Sequence, residues 1–484
     1  MSLSLLPTIE PSRSGFGSSP RSSLVARLGA ALASRGVSYC QWKGHGKRER
    51  WEHGRGDIDL LVDRPSWADF VDVLGSLGFK LALPPAGREA PGIVHFFGLD
   101  ERRGELIHIH AYQRLVIGSP WRTHYRIPLE PELLASASGG GKDAAIFPTA
   151  APELELIVLV LRLTLRHETR DLLRREPPRW LDGAVTDLDR LEDRATPDAV
   201  AAAVTRCLPE VSLKLFEHCR GSLLPGCAAW RRLKARFQLT RALRAHACRP
   251  AVFAAGERLW RRIRPRGQAL VGGGAVVALV GGDGSGKSTC ADALTAWLEH
   301  NLATVHLHLG RPERSLGTLV AGAAYKIARA VKLPARIVDH LDLVRTACTG
   351  RDRFRLYRRA FRFAAAGGIA ICERYPSRES WALSGPSEAQ GHALAAQSAL
   401  ATSLRRWERS LYERMQRPDL LFLLSLDAET AVSRKPSEPA DYVRERARLT
   451  AATDWSASGA IPIDAAQSLP QVVATLKAEL WKNL

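Results

Sequence analysis

The eight cysteines include no CxxC pair, and the Cys219–Cys227 spacing is not that of a zinc ligand set. A cysteine-held zinc site is thereby excluded, and the thiols read as reduced, several of them buried, as in a cytoplasmic protein. The first residues, MSLSLLPTIEPSRSGFGSSPRSS, lack a charged start followed by an apolar core, so no secretory signal is expected. Long apolar runs are also missing. The longest, ALVGGGAVVALVGG (269–282), is too short and too rich in glycine to cross a bilayer. Lysine is scarce: only 12 of the 69 basic residues are Lys, so the net charge of +19 rests on arginine. That excess favours anionic partners, whether nucleotides, nucleic acid, phosphorylated sugars or an anionic lipid surface. A solvated arginine-rich surface accounts for it as well.

The 484 residues exceed one ordinary domain, and 45% hydrophobic with 25% charged content is that of a globular chain. Residues 1–22 are rich in Ser, Pro and Gly and read as a disordered tail. A mixed α/β region follows over 23–150, with strands expected at IDLLV (58–62) and ELIHIHAY (105–112), a helix between them, and a loop at GGGK (139–142). Residues 151–265 carry apolar positions at helical spacing and read as a helical connector. Its Trp180, Trp230 and Trp260 are expected in helix cores. A basic, Gly-rich linker precedes a last region, 270–484. There AVVALVG, TVHLHLG, GIAICE, DLLFLLSL and IPID alternate with helical segments. Such alternation predicts a five-stranded parallel sheet with helices on both faces.

The most informative stretch is Gly281-Gly-Asp-Gly-Ser-Gly-Lys-Ser-Thr289, which fits the P-loop pattern. It follows an apolar strand and opens a helix, as that pattern requires. Gly281, Gly284 and Gly286 let backbone N–H groups turn towards phosphate oxygens. Lys287 supplies a cation and Ser288 a hydroxyl for Mg2+, while Asp283, Ser285 and Thr289 complete the cradle. The helix start adds its positive dipole.

These residues resemble the loop of thymidylate kinases, within the nucleoside-monophosphate kinases. The likeness continues through Glu373-Arg374-Tyr375 at the end of GIAICE, similar to the family's Asp-Arg-Tyr. It takes in Arg351 and Arg353 in the preceding helix, and RPDLLFLLSLDAETAVSRK (417–435). It implies an ATP- and Mg2+-dependent kinase domain over 270–484. Lys287, Arg374, Glu373, Arg434 and Lys435 would be catalytic, and Arg311, Arg351, Arg353, Arg374 and Tyr375 would hold the acceptor. The chain departs from the family at Leu309-Gly310-Arg311-Pro312-Glu313, where the family has Arg-Glu-Pro-Gly, and in a sparser basic lid.

The front region carries a second pattern. Asp57 and Asp59, two apart on a strand, face the same way and are candidate metal ligands. With the Lys43-Gly44-His45-Gly46 turn they resemble the nucleotidyltransferase superfamily. That superfamily's turn has Gly-Ser, and a third carboxylate stands near the position of His108. His108 and His110 are themselves able to ligate a metal. The chain therefore reads as a nucleotidyltransferase-like domain, a connector and a kinase domain acting on a small phosphate acceptor: a nucleoside monophosphate such as dTMP, or a similar metabolite. Nucleic-acid end processing and a non-catalytic ATP-binding regulator are the alternatives. A homodimer is compatible with this reading.

Overall fold

A computed structural model of the protein describes residues 23–44, 50–51, 53–85, 92–118, 124–137, 146–169, 180–248, 267–386 and 398–484. The expected tail, the His45-Gly46 part of the turn, the 139–142 loop, Trp260 and most of the basic linker lie outside those residues. The chain divides into two compact units, Met1–Pro265 and Arg266–Leu484.

The first unit opens with α1 (Leu24–Ser34), capped by the Ser23 hydroxyl, which accepts from the Ala26 N–H. Then come β1 (Tyr39–Lys43), β2 (Asp57–Val62), α2 (Trp67–Ser76), β3 (Lys80–Leu83), β4 (Ile93–Asp100), β5 (Glu105–Tyr112), β6 (Val116–Gly118), β7 (His124–Arg126) and α3 (Glu130–Ser136). Helices α4 (Pro152–Thr164), α5 (Trp180–Glu192), α6 (Pro197–Cys207), α7 (Leu213–Gly221) and α8 (Ala229–Ala242) follow. The strands lie in the order β1-β2-β5-β4-β3, with β2 and β5 parallel and the other pairs antiparallel.

The two-residue period of a strand sorts the side chains onto two faces. Ile58, Leu60, Val62, Ile107, Ile109 and Phe96 pack with Leu28 of α1 and Phe70 of α2. On the opposite face Cys40, Trp42, Leu61 and Tyr112 join a core shared with α4 to α8. Helix α4 is buried on nearly every side, consistent with its run of apolar residues. Each such buried Leu, Ile or Val stabilises the fold by roughly 1.5–3 kcal/mol relative to exposure. One expected helix-core residue is elsewhere: Trp230 is 56% exposed, on the outward side of α8.

The second unit contains β8 (Ala269–Leu270), β9 (Ala275–Gly281), α9 (Lys287–Glu299), β10 (Thr304–His308), α10 (Leu316–Ala330), α11 (Ala335–Ala365), β11 (Ile369–Glu373) and α12 (Trp381–Ser384). It continues with α13 (Ala399–Glu413), β12 (Leu420–Ser425), α14 (Ala428–Ser433), α15 (Ala440–Ala452), β13 (Ile461–Asp464) and α16 (Leu469–Asn483). Its sheet runs β10-β11-β9-β12-β13, every pair parallel. The expected five-stranded parallel sheet is therefore present, each strand on the segment read for it. β9, the strand that feeds the Gly-rich loop, is central, and six of its seven residues are buried.

Candidate functional site

In an open parallel sheet the functional groups gather beyond the carboxyl ends of the strands. Here β9 ends at Gly281, β11 at Glu373 and β12 at Ser425. Between β9 and α9 the loop bends sharply. Gly284 has φ +84°, and a Cβ on it would stand 2.7 Å from the Ala431 carbonyl oxygen. Gly286 also has φ +84° and caps α9. Both positions require glycine for conformational reasons.

Lys287 lies at the first position of α9 and is buried. Its Nζ donates to the Gly282 carbonyl at 2.5 Å and to Ser285 Oγ at 3.3 Å, both within the loop itself. Burial pushes this amine down to about 8. The Arg374 and Arg446 charges push the same way, against the Asp283 and Glu373 carboxylates. Asp283, itself buried, receives Arg374 Nη2 at 2.6 Å and lies 3.4 Å from Arg446 Nε. Arg374 makes this contact from a left-handed backbone, φ +51°, a conformation uncommon for a residue with a Cβ.

Next to this group Glu373 Oε2 accepts from Ser288 Oγ at 2.6 Å, and Glu373 Oε1 lies 2.7 Å from His306 Nε2. Burial acts to raise the Glu373 carboxyl, but the hydrogen bonds from His306 and Ser288 outweigh it and hold the group below the ordinary carboxylate range. The bond to Glu373 in turn raises His306. A hydroxyl and an ionised carboxylate side by side are hard oxygen donors of the kind Mg2+ takes.

The other expected residues separate into distinct surroundings. Arg353 is buried and spends its guanidinium on the chain itself: Nε donates to the Leu309 carbonyl at 2.7 Å, Nη1 to Ser384 O at 3.0 Å and to the Tyr412 hydroxyl, and Nη2 to Gly310 O at 3.3 Å. Arg351, two residues earlier on α11, is exposed. Tyr375 is fully buried and its hydroxyl donates to the Gln416 carbonyl at 2.5 Å, so its ring belongs to the core and not to a substrate surface. Arg434 donates to the Ala465 carbonyl, and Lys435 pairs with Glu438 at 3.3 Å. The cation directed at Asp283 from this part of the chain is instead Arg446 of α15, which the sequence reading missed. Its signal was the RERAR run at 444–448. Arg444 and Arg448 form exposed pairs with Glu429 and Glu445, leaving the middle arginine to face inwards.

Arg311 lines a cavity of about 870 Å3 beside this group, together with Arg314, Lys326, Arg329 and Arg345; among the described residues no carboxylate lines it. In the first unit Asp57 and Asp59 do share a face, but with three histidines. Asp59 Oδ1 lies 2.9 Å from Lys43 Nζ and accepts from the Tyr112 hydroxyl at 2.9 Å. Burial acts to raise Asp59, and Lys43 and His110 more than reverse this, leaving it well below the ordinary range.

The chain is similar to two ATP-binding proteins of Escherichia coli. It is 26% identical over 219 residues to the "Uncharacterized ATP-binding protein YghS" of strain K12, covering 42% of this chain and 91% of that protein. It is 25% identical over 213 residues to the "Uncharacterized ATP-binding protein YghR" of the same strain, covering 41% of this chain and 83% of that protein. No family model matches the chain.

Proposed function

We propose that the second unit is an ATP-dependent phosphotransferase of the nucleoside-monophosphate kinase type, passing the γ-phosphoryl group to a small anionic acceptor. One observation carries this reading: three cations, Lys287, Arg374 and Arg446, meet around Asp283 at the mouth of a P-loop, beside the Ser288–Glu373 pair. The names of the two relatives support ATP as the nucleotide.

Phosphoryl transfer asks a protein for alignment and charge neutralisation more than for covalent chemistry. The N–H groups of the loop and of the α9 start face the phosphates. Lys287 gives up the Gly282 carbonyl for the β- and γ-phosphate oxygens. Arg374 would exchange part of its hydrogen bond with Asp283, and Arg446 part of its ion pairing there, for the charge that develops on the transferring group. Ser288 Oγ and the Glu373 carboxylate would hold Mg2+, which when bound would neutralise charge on the phosphate groups. His306 keeps Glu373 ionised and oriented. The acceptor's phosphate falls to the basic cavity containing Arg311, because Arg353 has committed its donors to carbonyls. A nucleoside monophosphate such as dTMP fits this scheme, as does another small phosphorylated metabolite.

The test is ADP release by the full chain with ATP and Mg2+ against nucleoside monophosphates, sugar phosphates and 5′-hydroxyl oligonucleotides, with Lys287→Ala as the blank. Stimulation by a small phosphorylated acceptor supports the proposal. Stimulation by an oligonucleotide alone replaces the acceptor class with nucleic acid. Nucleotide binding without turnover on any acceptor refutes phosphotransfer. Arg446→Ala is expected to lower kcat by about 10–100-fold, a share of the loss typical of one preorganised donor, with a smaller change in the KM for ATP.

Proton uptake gives an independent check. Burial holds Lys287 down at about 8, below its ordinary 10.5, and phosphate oxygens would draw the value back up. Above pH 8 the free site has lost this proton, so ATP binding takes one up and weakens as pH rises further. Calorimetry in buffers of different ionisation enthalpy should show uptake at pH 9 and little at pH 7. Without a nucleotide in solution, the folded state disfavours the charged amine. This cost is fully present below pH 8 and is relieved as pH rises towards 10.5, while the unfolded chain still holds its proton.

A further inference from the structure

We propose that His95, His108 and His110 of the first unit form a site for a borderline divalent transition metal of the Zn2+ class, with Asp57 and Asp59 acting behind the imidazoles and not as the primary ligands. Three neighbouring strands bring the residues together. In register His95 stands opposite His110, Asp57 opposite His108 and Asp59 opposite His110. Directly opposite residues and residues two apart on one strand point to the same side, so all five share the sheet face on which Trp42 and Tyr112 lie. One ring nitrogen from each histidine lies within 4.8 Å of the others.

The atoms fit ligation closely. His95 Nδ1 and His108 Nε2 are 3.1 Å apart. Two nitrogens of a tetrahedral site with bonds near 2.1 Å stand about 3.4 Å apart, so a metal enters between them with only a small spread of the rings. His108 turns its other nitrogen, Nδ1, to Asp57 Oδ1 at 2.7 Å. His110 turns Nδ1 to Asp59 Oδ1 at 3.2 Å, and Nε2 is the nitrogen it has left to offer. A carboxylate accepting from the far nitrogen of a ligating imidazole fixes the ring's tautomer and raises its basicity. Phe97 stacks on His108 with ring centroids 4.1 Å apart and holds that ring in place. The donor set also selects the ion. Imidazoles suit Zn2+, Cu2+, Ni2+ or Fe2+, whereas Mg2+ takes hard oxygens. Asp59 is already committed to Lys43 and Tyr112. Three imidazoles with a fourth position open match the arrangement of a metal that binds water or substrate.

The full chain, stripped with chelator, is titrated with Co2+ and then Zn2+, with millimolar Mg2+ as competitor. One Co2+ per chain is expected, with the strong visible absorption of a four-coordinate nitrogen site, displaced by Zn2+ and untouched by Mg2+. Asp57→Asn should weaken binding about 10–100-fold, and His110→Ala by more. Thermal melting checks that each variant folds; if His110→Ala does not, the near-isosteric Asp57→Asn decides. The proposal fails if no stoichiometric Co2+ binds, if Mg2+ displaces it, or if the folded variants bind as the parent does. It is independent of whether Lys287 supports turnover.

Discussion

Lys287→Ala should lower ATP-dependent turnover by about 10²–10³-fold, the loss that follows removal of a single preorganised group from a developing charge. On the proposed transfer the fall belongs mainly in kcat, because the cation would face oxygens whose charge grows towards the transition state. The variant should fold. Alanine removes a charge that burial already disfavours, and the Nζ contacts it deletes are to the loop's own Gly282 carbonyl and Ser285 hydroxyl. The melting temperature therefore stays level or rises while activity disappears. ADP release followed against ATP concentration, together with a melting curve, checks both halves. Turnover within threefold of the parent would remove the P-loop from the mechanism.

Arg353→Ala should act the other way, on stability before chemistry. The guanidinium ties the Leu309–Gly310 turn after β10 to Ser384 in α12 and Tyr412 in α13. Truncation strands three carbonyls and a hydroxyl in a buried place, for an expected loss of about 3 kcal/mol. Arg353→Lys should recover little, since one ammonium lacks the planar fork that serves several acceptors at once. The measurement is the urea midpoint of the second unit's transition, read at unchanged m. Unchanged stability with a raised acceptor KM would return Arg353 to the role that the resemblance gave it.

The contrast between these two residues shows what a sequence makes legible. The Gly281–Thr289 loop was readable because its chemistry is local: glycine spacing, an apolar strand before and a helix after. The five parallel strands were readable for a similar reason, since each is a short apolar run between helical stretches. Arg446 was not, because successive positions of a helix turn by about 100° and only the packing of α15 decides which of three arginines faces Asp283. His95 was hidden differently. It lies 13 residues from His108, and only the β4–β5 register brings them to 3.1 Å. Arg353 and Arg351 differ by two places in sequence, yet one is buried among carbonyls and the other is exposed. Residue type at the expected spacing named both and ranked neither.

The place of β9 in the middle of its sheet has a consequence for motion. Its backbone is bonded on both sides, to β11 and to β12, whereas β10 and β13 each leave one side open. Fraying begins at such outer strands, and a central one opens only when the whole unit does. The Gly-rich loop thus grows from a strand protected on both sides, while Arg446 comes from a helix outside the sheet, with a partly exposed side chain. On the proposed reading, nucleotide entry and release would draw on α15, which carries Arg446 and packs Ala447 against Gly282 of the loop, before they draw on β9.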